Sequence, residues 1–389
     1  MKNLTFTILG MLLVFGGAFA ISHLGADFTR AEAPEAQEPE PPPEPTKEEK
    51  RKKKVDEFFA KGEILRLRID LAPAQLERMK KDERNYAEAT LTEETPDGQR
   101  VYEKVSIKLK GSAGSFQHLD GKPGITLSME KLKGGERFHG LKKFHLNNCV
   151  QDGTYLNELI AGEMARKAGV PASRCSHAFV NFNGRDMGLY VLKEGFTKDF
   201  LASFFDDPDG GLYEVPAPQE LNENMQKQLG EPKDRKDIKE LIAACQEADN
   251  AKRWERLGKI LDIDKFISFC VMEDFLCHWD GYNFNRNNFR LYHEPTSGKM
   301  YFILHGMDQM FGDTNFPVIR DWPAMVGSAV MRCPQAPPMY RARAQSIYET
   351  VLKNGDWPGR VVTEGRRVRD AIAAKDAKWA KDYDGQING

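Results

Sequence analysis

The chain has almost no excess of either charge. Its 389 residues carry 56 Lys and Arg against 58 Asp and Glu, for a formal net charge of −2. That excludes the global positive field that gathers proteins on nucleic acid, so no nucleic-acid partner is expected, although local basic patches remain open. The six cysteines, at 149, 175, 245, 270, 277 and 333, include no CxxC pair and no zinc-site spacing with histidine. Cys270 and Cys277 stand seven apart in an apolar segment and read as buried free thiols. A GxSxG elbow and an HExxH helix are both absent, which removes the common serine-hydrolase and zinc-peptidase signatures. His139, His145 and His278 assemble no rival motif and read as structural.

What is present begins with an apolar run, Leu4 to Ala20, behind Lys2 and ending in Ala18-Phe19-Ala20. Residues 1–20 read as a signal peptide, with an uncleaved N-terminal anchor and membrane association through residues 4–20 as the alternative. Either way the chain is exported, to a periplasmic, extracellular or cell-surface location. No cysteine near Ala20 supplies a lipoprotein anchor. Residues 21–54 are rich in proline and glutamate and end in the basic run Lys50 to Lys54. They read as a disordered tether, with the folded part beginning near Val55.

With 40% hydrophobic residues, residues 55–389 can bury one large core or two coupled ones. Strands are expected over Ile64 to Leu71, Tyr102 to Lys110 and Gly124 to Met129, with a short helix from Pro73 to Lys81. Between the second and third strands, Gly111-Ser112-Ala113-Gly114-Ser115 forms a small-residue turn. It is neither GxGxxG nor GxxxxGK[ST], but its backbone amides and the hydroxyls of Ser112 and Ser115 can approach anionic oxygens. The rival reading is a plain hairpin turn.

Asp152 to Lys167 reads as a helix stopped by Gly169, with Glu158 and Glu163 on or beside its apolar stripe. His177 to Phe182 and Met187 to Glu194 make a hairpin around Asn183-Gly184. The part after Glu194 is helix-rich, with an apolar helix over Asp264 to Trp279 and mixed-face helices over Met339 to Lys353 and Thr363 to Tyr383. The apolar helix delivers Asp280 and Asn285 to a loop, and Asp308 follows a strand hairpin. The five-residue interval from Asp280 to Asn285 is that of a kinase catalytic loop. Asx-capped turns explain the same interval without chemistry.

From about Val101 to Asp313 the chain resembles the CotH-type atypical kinases. The matching stretches are Lys108 to Lys131, Arg137 to Ala172, Phe179 to Phe196 and His278 to Asp313, in the family's order. The resemblance implies an α+β, atypical protein-kinase-like two-lobed fold, with a β-rich lobe over about 55–194 and a helix-rich lobe over about 195–389. It implies ATP with Mg²⁺ or Mn²⁺ as cofactors and a protein substrate with a Ser or Thr acceptor.

By the same resemblance Asp280 orients the acceptor hydroxyl, and Asn285, or Asn288 in its place, binds metal together with Asp308. Lys122 is the best match to the phosphate-binding lysine, with Lys131 and Lys108 as alternatives, although Lys122-Pro123 reverses the family's commoner order. Glu158 is then the helix glutamate that fixes this lysine, or an ordinary solvated glutamate. Backbone near Val191 to Glu194 meets the adenine edge, with Leu192 against its face. The family's commoner Asp-x-Asp is reduced here to Gly306-Met307-Asp308, which keeps open a second reading: a catalytically weak or inactive surface-binding or assembly protein.

Overall fold

Strand alternation builds the N-terminal part. A computed structural model describes residues 46–131, 136–215, 217–230, 234–318 and 322–388; the expected signal or anchor, and the tether up to residue 45, lie outside them. Seven strands, β1 (Ile64–Asp70), β2 (Ala87–Thr95), β3 (Gly98–Lys110), β4 (Gly124–Ser128), β5 (Lys143–Asn147), β6 (Cys175–Phe182) and β7 (Arg185–Glu194), close into a barrel in the order β1-β2-β3-β4-β5-β7-β6. Neighbours are antiparallel except β1 and β6, whose parallel pairing sets Leu67 beside Val180 and completes the closure. Side chains alternate across each strand. One set, including Leu67, Ile107, Leu109, Ile125, Leu127, Phe144, Leu146, Tyr190 and Leu192, fills the barrel. The β6–β7 hairpin turns through Asn183 and Gly184, both at positive φ as a primed turn requires.

The folded part begins earlier than Val55. Helix α1 (Lys47–Lys61) carries a complete capping box between Thr46 and Glu49 and stops at left-handed Gly62. Its Val55 and Phe58 join the barrel core, and Phe58 stacks on His139 at 4.6 Å and meets Phe138 edge-on at 5.8 Å. Residues 47–54 are therefore helix rather than tether, because the cap and the two apolar anchors outweigh the charge run. Helix α2 (Pro73–Lys81) matches its expected span.

Helix α3 (Asn157–Lys167) starts five residues inside its expected span because residues 152–156 form its N-terminal turn and cap. After the short α4 (Lys198–Leu201), strands β8 (Gly211–Glu214), β9 (Gln226–Leu229), β10 (Phe289–Glu294) and β11 (Lys299–Leu304) form a second sheet in the order β11-β10-β8-β9. Around it lie α5 (Lys236–Cys245), α6 (Asn250–Ile260), α7 (Ile263–Phe275), α8 (Tyr282–Asn285), α9 (Met325–Met331) and α10 (Ala336–Ile347). The last of these runs into a π-helical turn (Tyr348–Lys353), followed by α11 (Trp357–Ala373) and α12 (Ala377–Asn388).

This part has its own core, in which Phe266 and Phe269 of α7 pack on Phe302 of β11 at 4.8 and 5.3 Å. The molecule is thus of mixed α+β class, with the barrel interior and the helix-rich core forming separate apolar clusters. Among the described residues the cysteines form no disulfide; Cys270 is buried as expected, whereas Cys277 is half-buried. Among the described residues no helix is long and apolar enough to cross a membrane.

If α1 is integral to the barrel, Phe58→Ala should destabilise the protein by about 3 kcal/mol, the usual range for a truncated core phenylalanine. Denaturant unfolding checks this. A detached tether would show no change.

Candidate active site

The barrel strands are read twice, once from inside and once from outside. The residues that alternate with the core set point outward: Lys108 and Lys110 on β3, Thr126 on β4, Lys143, His145 and Asn147 on β5, and Val191 and Lys193 on β7. They floor a cavity of about 550 Å³, walled on the other side by Arg290 of β10, the 279–288 loop and the 305–309 segment after β11. Gly124 keeps the floor low, since a Cβ there would come within 3.1 Å of the Lys110 carbonyl. The 111–115 turn closes one end. Gly111 has φ 124, and a Cβ on it would lie 2.9 Å from the Phe116 backbone, so the turn demands glycine. Ser112 N donates to Ser115 Oγ at 3.1 Å, and Asn148 Nδ2 holds the Ser115 carbonyl at 2.9 Å. Ser112 and Ser115 both line the cavity, as expected.

The centre of the cationic floor is a single carboxylate. Glu158, 2% exposed at the start of α3, forms an ion pair with Lys193 Nζ, itself 1% exposed. The other Glu158 oxygen accepts from Asn147 Nδ2, and Asn147 Oδ1 in turn accepts from Lys110 Nζ at 2.5 Å. One glutamate therefore holds two lysines, one directly and one through an amide. Burial works most strongly against ionisation of Glu158, but Lys193, Lys110 and the Met307 amide together outweigh it and keep the carboxyl below its ordinary range. Lys110 is pushed down to about 8 by burial, with Lys193 and Arg290 adding to the effect while Glu158 and Asp308 oppose it. His145 and His305 are driven well below the usual imidazole value, first by burial and then by neighbouring cations, and are neutral.

The acidic wall faces this floor. Asp280 lies just beyond α7, and its carboxylate accepts from the side-chain amides of Asn285, of Asn287 at 3.0 Å and of Asn288 at 2.7 Å. A carboxylate only accepts, so each amide turns its NH₂ toward Asp280 and its oxygen elsewhere. The Asn288 oxygen packs against Gly306, which sits at φ 58 and where a Cβ would overlap it. The oxygen of Asn285 makes no hydrogen bond among the described residues. Asp308 follows β11, and its main-chain carbonyl accepts from Asn157 Nδ2 of α3 at 2.9 Å. Its carboxyl is raised above the ordinary value by burial and then by Glu158. Met307 N donates to Glu158 at 3.3 Å, so the first turn of α3 grips both the lysine floor and the acidic segment.

A buried residue that the sequence did not flag holds the Asp280 loop. Glu273 of α7 accepts from Tyr282 N at 2.6 Å, Asn283 N at 3.1 Å and Asn283 Nδ2 at 2.7 Å, and its oxygen leaves no room for a Cβ at Gly281. Burial raises its carboxyl to about 8. His278 ties the same loop to the adjoining 305–309 segment through its Nε2 and the His305 carbonyl, 3.0 Å apart. A carboxylate in the apolar run of α7 was the available signal for Glu273.

Three expected residues fall outside the cavity. Lys122 directs its ammonium to the Leu189 carbonyl at 2.8 Å and over the rings of Tyr155 and Tyr190, at 5.3 and 5.0 Å. Leu192 belongs to the barrel core, one position out of phase with Val191 and Lys193. Glu194 is occupied by Arg174, whose Nε and Nη2 donate at 2.8 and 2.6 Å. Of the alternatives to Lys122, Lys131 does not line the cavity and Lys108 does. Glu158 is the lysine-fixing helix glutamate in geometry, but its partner is Lys193. Asp280, Asn285, Asn288 and Asp308 all line the cavity. Among the described residues no three His, Cys, Asp or Glu side chains cluster as a metal site; the oxygen-bearing side chains of the acidic wall include Asp280, Asp308, Asn285 and Asn288.

Removing one partner of a buried ion pair strands the other charge. Glu158→Gln and Lys193→Met should each cost about 3 kcal/mol or more, while the double variant Glu158→Gln/Lys193→Met should cost clearly less than their sum. Denaturant unfolding of the four proteins measures the coupling. Additive losses would mean that the pair carries no interaction.

Comparison with known proteins agrees with this arrangement. A family model described as "CotH kinase protein" matches residues 98–354, from β3 through the π-helical turn. The chain is 25% identical over 183 residues to the "Spore coat protein homolog 1" of Rhizopus delemar, covering 43% of this chain and 30% of that protein. It is 21% identical over 189 residues to the "Inner spore coat protein H" of Bacillus subtilis, covering 45% and 51% respectively. It is 23% identical over 183 residues to "Invasin CotH7" of Rhizopus delemar, covering 43% and 31%. The chain thus spans about a third to a half of the length of these relatives. The family match takes in 257 of the 389 residues, including every element that lines the cavity from β3 onward, and the chain belongs to the CotH family.

Proposed function

We propose that the cavity binds ATP with Mg²⁺ or Mn²⁺ and transfers its terminal phosphoryl group to a Ser or Thr hydroxyl of an exported protein. The observation that carries this reading is the opposition, across one cavity, of a Lys193–Glu158–Asn147–Lys110 floor and an Asp280/Asp308 wall. Phosphoryl transfer asks for charge neutralisation and alignment more than for covalent help. Lys193 and Lys110 would neutralise phosphate oxygens from positions fixed by Glu158 and Asn147. Ser112, Ser115 and the backbone of their turn would close over the phosphates. Asp308 and the Asn285 oxygen would hold the cation, which would spread negative charge away from the transferred group.

Asp280 would accept a hydrogen bond from the acceptor hydroxyl, its rotamer fixed by three asparagine amides. In this reading the barrel and the helix-rich part act as the two lobes of an atypical kinase. An exported or surface location is supported by the Leu4 to Ala20 run and by the relatives' names, spore coat proteins and an invasin.

A second reading, a nucleotide-binding scaffold with little or no turnover, is favoured by Gly306. The family's first acid is absent there, and the left-handed backbone packed against Asn288 leaves no space to restore it. The two readings separate with labelled ATP, Mg²⁺ or Mn²⁺ and hydroxyl-rich protein acceptors, products being located by peptide mass spectrometry. Asp308→Ala should weaken metal-dependent nucleotide binding, whereas Asp280→Ala should spare binding within about threefold and lower transfer by about 10²-fold or more. ATP binding without transfer by the unmodified protein would leave the scaffold reading.

The lysine floor also predicts a pH dependence. Free Lys110 titrates near 8, and a bound polyanion favours its charged form. Nucleotide affinity should therefore fall by about tenfold from pH 7 to pH 9, with proton uptake on binding near pH 8. Calorimetry in buffers of different ionisation enthalpy reads the protons. Lys110→Met should flatten the profile, and a flat profile in the unmodified protein would remove Lys110 from the phosphate grip.

A further inference from the structure

We infer that Trp279 and Phe311 form the docking lip for the acceptor, selecting a polypeptide segment with a large apolar side chain next to its Ser or Thr. The inference rests on the phosphotransfer reading and deepens it. Each aromatic neighbours one of the two opposed acids in sequence: Trp279 directly precedes Asp280, and Phe311 follows Asp308 by three residues. Their segments run side by side, joined by Phe311 N to the Leu276 carbonyl at 3.0 Å and by Cys277 Sγ to the Asp313 carbonyl at 3.3 Å.

Both rings are open to solvent, Trp279 by 50% and Phe311 by 39%, and Trp279 lines the cavity itself. The Trp279 indole has no hydrogen-bond or ring partner among the described residues, in a molecule whose other large aromatics are mostly packed. Single exposed apolar residues are ordinary. Two on hydrogen-bonded adjoining segments, one of them lining the cavity, are less so, and Phe311 is also held at φ 63, a left-handed backbone costly for a bulky residue and common at functional sites.

Geometry names the occupant. A hydroxyl that reaches the Asp280 carboxylate must bring its flanking residues past the adjacent Trp279. The nucleotide's phosphates have their counter-charges on the opposite floor, at Lys110 and Lys193. Tryptophan suits the task because it offers a large rigid contact area at low entropic cost, as at the centre of many protein interfaces.

The test uses the full chain and a degenerate peptide library with a fixed central Ser or Thr and one flanking position varied at a time. Nucleotide affinity, peptide binding in the presence of a non-hydrolysable ATP analogue, and transfer are measured separately. The unmodified protein should prefer Phe, Leu, Ile or Met at a flanking position. Trp279→Ala should abolish that preference and raise the acceptor KM by about tenfold, the scale of losing one aromatic anchor, with nucleotide affinity unchanged. Trp279→Phe should restore most of the loss, and Phe311→Ala should show a smaller change in the same direction. Loss of nucleotide affinity in Trp279→Ala with an unchanged acceptor KM would assign the indole to the nucleotide and overturn the inference. An unmodified protein with no flanking preference would overturn it too. Selective peptide binding without transfer would keep the lip and reject the phosphotransfer reading, so the two failures are distinguishable.

Discussion

The site depends on one buried negative charge. Glu158 is placed where a carboxylate is costly, and it stays ionised because Lys193, Asn147 and the Met307 amide converge on it. These contacts come from a helix, two barrel strands and the segment after β11, so the carboxylate fixes their relative positions. Asn157, its neighbour on the same helical turn, adds the Asp308 carbonyl. The pair is thus better understood as a register pin between the barrel and the acidic segment than as a source of net stability. Buried ion pairs often gain little overall, yet a half-formed one is heavily penalised.

The barrel explains how so many cations can share one wall. Its inner face is apolar and supplies the packing, which leaves the outward positions of β3, β5 and β7 free to carry charge. Lysines 108, 110, 143 and 193 and Arg290 crowd the same cavity, and the structure limits their repulsion in different ways. Lys193 is neutralised by Glu158 and Arg290 by Glu214, while Lys110 has its charge weakened by burial. Lys143 is likewise shifted down, chiefly by burial. A wall of this kind is poised for a ligand that brings several negative charges, since such a ligand relieves the repulsion the empty cavity must carry.

Local pattern made much of this legible in the sequence, and long-range pairing made the rest illegible. The β6–β7 hairpin, α2, the buried α7 and the Asp280 loop follow from turn residues, capping and apolar period, all of them features within about fifteen residues. Strand β2 was missed because Ala87–Thr95 mixes small and charged residues, and β5 because it is only five residues long. Barrel closure could not be read because β1 meets β6 across more than a hundred residues. The site errors share the same origin. The apolar run Met187 to Leu192 does not reveal which face of β7 looks into the barrel, so it does not distinguish Leu192 from Val191 or mark Lys193 as the cavity-facing residue. Lys122 stood at the right place in the chain but on a segment whose path depends on Leu189 and two tyrosines.

The acidic wall is built around a glycine and the asparagine that packs on it. Gly306 adopts a backbone that favours glycine, and Asn288 fills the space beside it while its amide supports Asp280. A glycine at 306 leaves no negative charge there facing Lys110, and the space beside it is taken by an asparagine already tied to the loop. The remaining acids then have distinct environments. Asp280 is surrounded by amide donors, whereas Asp308 is raised by its own desolvation and by Glu158. A cation arriving beside Asp308 would reverse both influences at once, since it supplies the positive charge that burial withholds and offsets the nearby glutamate. Any polyanion and cation taken up there would be thermodynamically linked to the Glu158 network, because each would change the charge that the network faces.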